Sequence, residues 1–450
     1  MKPQSSVLLT DLYQLTMLQG YFDRHMEETA VFEFFVRKLP PRRGFLVAVG
    51  LEQVLDYLET LRFEPWELEW IGRSGRFSRA LVDYLERFRF TGEVHAVPEG
   101  TVFFPDEPIV RVTAPLPQAQ LVETRLINLL HFQTLVASKA ARMVLVAQGR
   151  PLVDFGLRRA HGEEAGLLAA RASYLAGFSG TATVLAGARF GVPVYGTMAH
   201  SFIQAHTDEA EAFEHFARAQ PEHAVLLLDT YDTEAAARKV VALAPRLRTQ
   251  DITLKGVRLD SGNLADHARR VRRILNDGGL PDVQIVASGN LDEYALQELL
   301  AADAPIDSYA VGTHMTTSSD APFLDCAYKL QEYAGRASRK RSEGKATWPG
   351  RKQVYRHVGS DGRLAHDVLT LADEGTELKS VPDGEALIQP VMRDGRRLAS
   401  APALADLRAR VAAELARLPE HLRRLQDGPP YQVRLSQALR DLTKAVDERE

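Results

Sequence analysis

The stretch GVRLDSG, residues 256–262, decides the fold, because an apolar run ends there in charged, hydroxyl and glycine residues. Five other runs between residues 151 and 317 have the same form: 152–156 (LVDFG), 192–197 (VPVYGT), 224–229 (AVLLLD), 283–289 (VQIVASG) and 308–313 (SYAVGT). Short apolar runs with β-branched residues are typical of parallel strands that are buried on both faces.

The segments between these runs are predicted to be helices. Residues 163–188 are rich in Ala and Leu, and residues 233–243 and 264–275 place apolar side chains at helical spacing. Strand and helix alternate about every 30 residues, which is the size of a βαβ unit. The pattern predicts an α/β fold with a parallel sheet, closed as a barrel or open and doubly wound. We favour an irregular (β/α) barrel, since six strands are visible instead of the usual eight.

The flanking sequence indicates an additional α+β domain. Strands are expected at 30–37, 45–49 and 101–112, and helices at 51–61 and 79–88. A basic stretch covers 336–352, and residues 401–450 are mostly helical in pattern, with an interruption at Pro429 and Pro430. We therefore divide the chain into an N-terminal domain (1–125), a catalytic barrel (126–320) and a C-terminal region (321–450) that packs on the N-terminal domain.

Composition limits the function classes. The chain has 450 residues, 45% of them hydrophobic and 25% charged, with a net charge of -4. This balance favours neither a nucleic-acid nor a membrane partner. Cys326 is the single cysteine, so no internal disulfide can form, which fits a reducing compartment. Without an apolar run of signal-peptide or membrane-span length, the expected location is the cytoplasm.

The polar residues that end the strands predict a site for a phosphorylated small molecule. Ligands of both candidate architectures bind at the carboxyl ends of the strands. Several ends pair a glycine with a serine or threonine, so backbone N–H groups and a hydroxyl can bind an anion together: Gly196 and Thr197, Ser261 and Gly262, Ser288 and Gly289 before Asn290, and Gly312 and Thr313.

Charged residues follow the same strands. Arg158 and Arg258 can clamp a phosphate or carboxylate, or form ion pairs at the rim. Asp229 and Asp260 can bind Mg²⁺, orient a histidine, accept hydrogen bonds from ribose hydroxyls, or cap the helices that follow. His200 stands just after a strand end, where a neutral imidazole can act as a nucleophile toward phosphorus.

Several motifs resemble the nicotinate phosphoribosyltransferase family and keep its order along residues 10–356. They are DLYQLTM (11–17), FGLRRAHG (155–162), GTMAHSF (196–202), LLLDTYDT (226–233), VRLDSGNL (257–264), ASGNLDE (287–293), VGTHMTTS (311–318) and SEGKATWPGRKQVYR (342–356). The resemblance implies an irregular barrel with an α/β domain built from sequence on both sides of it. It also implies transfer of a phosphoribosyl group from 5-phosphoribosyl 1-diphosphate to nicotinate, driven by ATP through a phosphohistidine, with Mg²⁺ required. A homodimer with shared active sites is expected.

The resemblance assigns roles to individual residues. His200 would accept the phosphoryl group, Asp229 would orient the His200 side chain, and Asp260 would bind the ribose hydroxyls. Nicotinate would contact Phe155, Thr197, Arg258, and Tyr13 of the partner subunit. The phosphoribosyl and diphosphate groups would contact Arg158, Ser261, Gly262, Ser288, Gly289, Asn290, Gly312 and Thr313. The metal ligands remain open.

Other functions stay in competition. Nicotinamide-specific relatives carry an aspartate where this chain has Ala182, so a carboxylate that would repel nicotinate is missing. Quinolinate enzymes share the barrel but lack ATP coupling, which disfavours them because His200 and LLLDTYDT are present. A non-catalytic metabolite-binding protein would not need the intact set of charged residues. A sugar-phosphate isomerase or aldolase would need a base at a strand end, and the nearby Lys255 precedes its strand.

Overall fold

The computed structural model describes residues 6–374 and 384–449. The chain divides into two compact units, one formed by residues 1–135 and 323–450 and the other by residues 136–322. We call them the flanking unit and the barrel unit. None of the helices in these described ranges is both long enough and apolar enough to cross a bilayer.

The flanking unit is built on antiparallel strands with helices around them. Its helices are α1 Leu12–Asp23, α2 Leu51–Thr60, α3 Pro65–Arg73, α4 Arg79–Glu86, α5 Leu116–Leu121, the first part of α6 Glu123–Ala147, and, after the barrel unit, α15 Leu404–Arg417, α16 Glu420–Arg423 and α17 Gln437–Arg449. Its strands are β1 Thr29–Val36, β2 Leu46–Val47, β3 Glu93–Ala96, β4 Val102–Phe103, β5 Val110–Pro115, β12 Cys326–Tyr333, β13 Arg336–Ala337, β14 Lys352–Val358, β15 Leu364–Leu371, β16 Glu385–Ala386, β17 Gln389–Arg393, β18 Arg396–Arg397 and β19 Val433–Leu435.

Strand β1 lies inside the seven-stranded sheet of this unit, with a neighbour on each side. The seven strands follow the order β13-β12-β1-β5-β3-β17-β18, and β1 is antiparallel to both of its neighbours. Its sequence TAVFEFFV is apolar except at Thr29 and Glu33, and every residue from Ala30 to Val36 is buried. A four-stranded sheet, β16-β14-β15-β19, and the pair β2-β4 complete the strands of the unit.

Glu33 needs a partner because its carboxylate is buried in the middle of β1. Its Oε2 lies 2.8 Å from Nζ of Lys352, and its Oε1 accepts the backbone N–H of the same lysine at 2.9 Å. Nζ also donates to the carbonyl oxygens of Trp348 and Gly350. Burial lowers the pKa of Lys352, and the charge of Glu33 opposes that shift.

The barrel unit alternates strands and helices. Its elements are β6 Leu152–Asp154, a 3₁₀ helix Leu157–Arg159, α7 Glu163–Ala176, β7 Gly180–Thr181, α8 Val184–Phe190, α9 His200–Gln204, α10 Glu209–Ala219, β8 Val225–Leu227, α11 Thr233–Arg248, β9 Gly256–Leu259, α12 Leu264–Asp277, β10 Gln284–Ala287, α13 Glu293–Ala301, β11 Ser308–Val311 and α14 Thr313–Thr316.

The strand order of this unit is that of a barrel with one gap. The six strands are parallel in the order β7-β6-β11-β10-β9-β8, and a single bridge joins Thr181 to Val194 beside β7. The last strand, β11, therefore pairs with the first, β6, which closes the ring at that point. Within the described ranges no ladder joins the Val194 side to β8, so the sheet stays open there. The predicted irregular (β/α) barrel is confirmed.

Three local predictions were wrong. The helix predicted over residues 163–188 is broken into α7 and α8 by β7, because Gly177 ends α7 at φ +125°. Gly180 in β7 approaches the carbonyl oxygen of Pro193 so closely that an added Cβ would lie 2.2 Å from it, and this favours glycine there. The strand predicted at 192–197 is reduced to the bridge at Val194, and the strand predicted at 101–112 is two strands, β4 and β5.

We predict that Glu33→Ala lowers the free energy of unfolding by about 3–5 kcal/mol, because it leaves a buried ammonium group unpaired. The matched control is Glu69→Ala, since the Glu69–Arg73 pair spans 3.2 Å at side-chain exposures of 66% and 80%. The control should change stability by less than about 1 kcal/mol. Urea denaturation of both variants measures the difference, and equal midpoints would contradict the assigned role of Glu33.

Candidate active site

The carboxyl ends of the parallel strands bring the predicted residues to one edge of the barrel unit. Strands β8, β9 and β10 are adjacent in the sheet, and each is followed within three residues by a polar side chain. With Arg258 on β9 itself and His200 at the start of α9, these side chains form what we call the strand-end cluster: His200, Asp229, Arg258, Asp260 and Ser288.

Arg258 is held rigidly in this cluster. It is 8% exposed and lies on β9, where its Nε donates to Oγ of Ser288 at 2.9 Å. Nη1 donates to Oγ1 of Thr197 at 2.6 Å and to the carbonyl oxygen of Met198 at 3.2 Å. Nη2 donates to Oδ1 of Asp260 at 3.2 Å. Four acceptors thus fix the plane of a buried guanidinium and leave its charge and one Nη2 N–H for a ligand.

An aromatic face lies beside this cation. The guanidinium carbon of Arg258 is 5.6 Å from the centroid of the Phe155 ring. The structure therefore brings together the cation, the hydroxyl of Thr197 and the ring of Phe155, as the sequence analysis expected for one pocket. Such a set can bind a flat ring that carries a negative charge.

His200 has one ring nitrogen engaged and the other open. Its Nδ1 lies 3.0 Å from Oγ1 of Thr230, and its Nε2 lies 4.0 Å from Oδ2 of Asp260. The imidazole is 39% exposed. Nε2 is therefore the nitrogen available to a ligand or an electrophile.

Asp229 does not make the hydrogen bond to His200 that the sequence analysis expected, and Thr230 occupies that place. Oδ2 of Asp229 instead accepts the hydroxyl of Ser261 at 2.5 Å. Its Oδ1 is buried and has no hydrogen-bond partner in the described part of the chain. Sequence reasoning missed Thr230, although it directly follows Asp229 at the end of the same run.

Three members of the cluster can hold a metal ion. One ligand atom from each of His200, Asp229 and Asp260 lies within 4.8 Å of the other two. The unpartnered Oδ1 of Asp229 is a buried carboxylate oxygen that a cation could bind. Two carboxylates suit Mg²⁺, which keeps several water ligands beside one or two protein oxygens.

The glycines at the strand ends allow close backbone approach. Gly289 has φ +98°, and an added Cβ would lie 2.0 Å from the carbonyl oxygen of Asp260. Asn290 follows at φ 51°. At Gly312 an added Cβ would lie 3.0 Å from the carbonyl oxygen of Phe155, and at Gly262, with φ +75°, it would lie 2.7 Å from Nε2 of His267.

The two arginines after β6 differ in their contacts. Arg158 is exposed in the 3₁₀ helix and makes no hydrogen bond or ion pair within the described ranges. Nη1 of its neighbour Arg159 donates to Oγ1 of Thr313 at 3.2 Å. Arg159 was not among the predicted residues, although the dipeptide RR in FGLRRAHG was the available signal.

A buried carboxylate supports the loop that carries Phe155. Asp154 is 1% exposed, and it accepts the N–H of Gly156 and the hydroxyl of Thr181, both at 2.7 Å. Burial raises the pKa of Asp154, and these hydrogen bonds act in the opposite direction. Asp154 thereby ties the end of β6 to β7. Sequence reasoning did not single it out.

Tyr13 belongs to the flanking unit. It lies on α1 and is 46% exposed, beside the similarly exposed Leu12.

We predict that Gly289→Ala destabilises the barrel unit more than Gly279→Ala does. Both glycines have positive φ, but a Cβ at Gly279 would meet nothing within 4 Å. Gly279→Ala should cost about 1–2 kcal/mol for its left-handed backbone. Gly289→Ala should cost roughly 1–3 kcal/mol more, since the backbone of Asp260 must move. Thermal unfolding of both variants is the measurement, and equal losses would show that the close contact is not limiting.

Comparisons with family models, with related sequences and with solved structures all point to the same family. Family models match residues 8–131 (nicotinate phosphoribosyltransferase N-terminal domain), 151–337 (nicotinate phosphoribosyltransferase family) and 378–443 (C-terminal domain). The chain is 47% identical over 434 residues to nicotinate phosphoribosyltransferase pncB2 of Mycobacterium tuberculosis, covering 95% of this chain and 91% of the relative. It is 38% identical over 381 residues to nicotinate phosphoribosyltransferase of Bacillus subtilis, covering 83% and 78%. The crystal structure of human nicotinic acid phosphoribosyltransferase superposes with a TM-score of 0.87 at 30% identity, covering 97% of this chain and 99% of that one.

Proposed function

This chain belongs to the nicotinate phosphoribosyltransferase family, and we propose that it joins nicotinate to 5-phosphoribosyl 1-diphosphate in NAD salvage, with ATP hydrolysis driving the reaction. The products are nicotinate mononucleotide and diphosphate. The observation that carries the proposal is the fixed guanidinium of Arg258 beside Phe155 and Thr197. A pyridine ring with a carboxylate needs an aromatic surface, a cation and a hydrogen-bond donor, and this pocket offers all three.

The glycosyl transfer needs positioning more than a protein nucleophile. The lone pair of the nicotinate nitrogen attacks C1 of the ribose, and the bond from C1 to the diphosphate oxygen breaks. The transition state resembles an oxocarbenium ion, so the protein contributes mainly orientation and stabilisation of charge. Asp260, bonded to Arg258, has an oxygen near His200 and is placed to accept ribose hydroxyls.

We propose that backbone N–H groups at the glycine-containing strand ends bind the phosphates. Gly289 and Gly312 each let the chain approach a neighbouring carbonyl closely, so their turns are tight. Arg159 adds a cation next to Thr313. The set Ser261, Gly262, Ser288, Gly289, Asn290, Gly312 and Thr313 remains the proposed phosphoribosyl and diphosphate site, and Arg159 joins Arg158 in it.

Charge balance supports a Mg²⁺ requirement. Asp229 and Asp260 carry two negative charges, while Arg258 supplies one positive charge, so a diphosphate next to the two carboxylates would be repelled by them. A bound Mg²⁺ would screen the two carboxylates and the diphosphate from each other. Asp229 and Asp260 are the residues that would hold it, which leaves Nε2 of His200 for the phosphoryl group.

ATP coupling is proposed to run through His200. Nε2 of His200 attacks the γ-phosphorus of ATP, the bond to the β-γ bridging oxygen breaks, and ADP leaves. The resulting phosphohistidine is later hydrolysed by water to free phosphate. When Nδ1 of His200 donates to Oγ1 of Thr230, the tautomer is fixed and the lone pair is on Nε2. The phosphoryl group adds nearly two negative charges beside the diphosphate site, where it organises Mg²⁺ and the arginines, and its hydrolysis then favours release of the diphosphate product.

A homodimer with shared sites is proposed on the strength of exposed apolar residues. In the flanking unit, Leu12, Tyr13 and Met17 of α1 are 46%, 46% and 38% exposed. In the barrel unit, Val184 of α8 is 72% exposed. Exposed apolar side chains of this kind are typical of subunit interfaces. Tyr13 would then reach the nicotinate site of the partner subunit.

We place the enzyme in the cytoplasm.

The direct test supplies purified protein with 5-phosphoribosyl 1-diphosphate and either nicotinate or nicotinamide, with and without ATP. We expect nicotinate mononucleotide to form faster with ATP, and nicotinamide to react poorly, because Arg258 prefers a carboxylate partner. Product formation is followed by chromatography. Equal turnover of nicotinamide would assign the chain to the nicotinamide alternative, and no turnover of either base would favour the non-catalytic one.

We predict that His200→Ala loses acid-labile labelling from γ-labelled ATP while it stays folded. The control is His223→Ala, which removes an exposed histidine from the loop after α10 and should label like the unchanged protein. Circular dichroism confirms that both variants are folded. Labelling that persists in folded His200→Ala would show that another residue accepts the phosphoryl group.

We predict that inactive Tyr13→Ala and inactive His200→Ala recover activity when they are mixed. A hybrid dimer would contain one site in which both residues are intact, so recovery up to about one quarter of the normal activity is expected from random exchange of subunits. The mixture is assayed after reversible dissociation. A fully active protein that sediments as a monomer would contradict the shared site.

A further inference from the structure

Two histidines of the barrel unit lie close together outside the strand-end cluster. His206 follows α9, and His215 lies on α10. Nε2 of His206 is 3.1 Å from Nδ1 of His215, and the ring centroids are 5.1 Å apart. The proposed reaction uses neither residue. We call them the imidazole pair.

The orientation of the first ring is fixed by the backbone. Nδ1 of His206 lies 2.7 Å from the carbonyl oxygen of Phe202. A carbonyl can only accept, so Nδ1 carries the proton and Nε2 presents its lone pair toward His215. Metal-bound imidazoles in proteins are oriented in the same way, by donation of the other ring N–H to a carbonyl or carboxylate. The Phe202 ring also packs against His206, with centroids 4.8 Å apart.

The spacing of the two nitrogens fits a single metal ion. With zinc–nitrogen bonds of about 2.0–2.1 Å, two ligand nitrogens lie about 2.9 Å apart at a right angle and about 3.4 Å apart at a tetrahedral angle. The observed 3.1 Å falls between these limits. His215 is exposed, so solvent can reach the pair and water can fill the remaining coordination positions.

We propose that His206 and His215 form a binding site for a divalent transition metal of the zinc, nickel or copper class. Imidazole nitrogens suit these ions, whereas Mg²⁺ prefers oxygen ligands. The imidazole pair offers two nitrogen ligands, whereas Asp229 and Asp260 of the strand-end cluster offer oxygen ligands. On binding, the metal takes the place of the proton between the two rings, and that proton moves to Nε2 of His215, so both ligands stay neutral imidazoles.

The test is calorimetric titration of the full chain with Zn²⁺ while millimolar Mg²⁺ occupies the strand-end cluster. We expect one bound Zn²⁺ per chain, and an affinity at least about tenfold lower in His215→Ala. His223→Ala removes a histidine without a second imidazole beside it and should bind like the unchanged protein. Alanine is a strong helix former, so His215→Ala should keep α10 folded.

A second measurement identifies the ligands directly. Electron paramagnetic resonance of bound Cu²⁺ should show hyperfine coupling to two imidazole nitrogens in the unchanged protein and to one in His215→Ala. Three results would overturn the proposal: no Zn²⁺ bound in the presence of Mg²⁺, equal affinity in His215→Ala, or a loss that occurs only in His200→Ala. Because the readout is binding, this outcome is independent of whether the proposed reaction is correct.

Discussion

The parallel pairing of β11 with β6 is the constraint on which the site depends. Three residue pairs, Tyr309–Leu152, Ala310–Val153 and Val311–Asp154, join the last strand of the barrel unit to the first. This ladder brings the FGLRR loop next to the Gly312 turn, where an added Cβ would meet the carbonyl oxygen of Phe155. Without it, Phe155 and Arg159 would have no fixed relation to Thr313 or to the ends of β9 and β10.

Within that frame, Arg258 distributes its charge over several neighbours. It bonds a hydroxyl on each side, through Ser288 and Thr197, and among the described residues its charge is matched by Asp260 alone. Ser288 also donates to the same carboxylate oxygen of Asp260. The proposed base pocket and the proposed ribose site are thus two ends of one hydrogen-bonded network, so a change at either end alters the electrostatics of the other.

The sequence predicted the barrel and the residues at its strand ends, because periodicity and strand-end chemistry are local signals. β9, β10 and β11 lie inside the predicted runs, and Arg258, Asp260 and Ser288 meet as expected from adjacent parallel strands. The hydrogen-bond partner of His200 is Thr230 instead of Asp229. Which of these two neighbours faces His200 depends on the side-chain directions after β8, and no sequence pattern encodes them. In the same way, neighbouring residues of a 3₁₀ helix point about 120° apart, so Arg159 reaches Thr313 while Arg158 faces solvent. β7 was missed because two residues in an Ala-rich stretch leave no periodicity to read.

The position of β1 has a consequence for how the chain is made. β1 pairs with β5 on one side and with β12 on the other, and Phe34 lies opposite Tyr328. These two residues are separated by about 290 positions, so at roughly 5–20 residues per second a ribosome needs about 15–60 s to supply the second neighbour. Throughout that interval the nascent chain presents an apolar strand with at least one unpaired edge, the feature that promotes aggregation. The barrel unit, which is encoded without interruption, is complete before the unit that surrounds it in sequence.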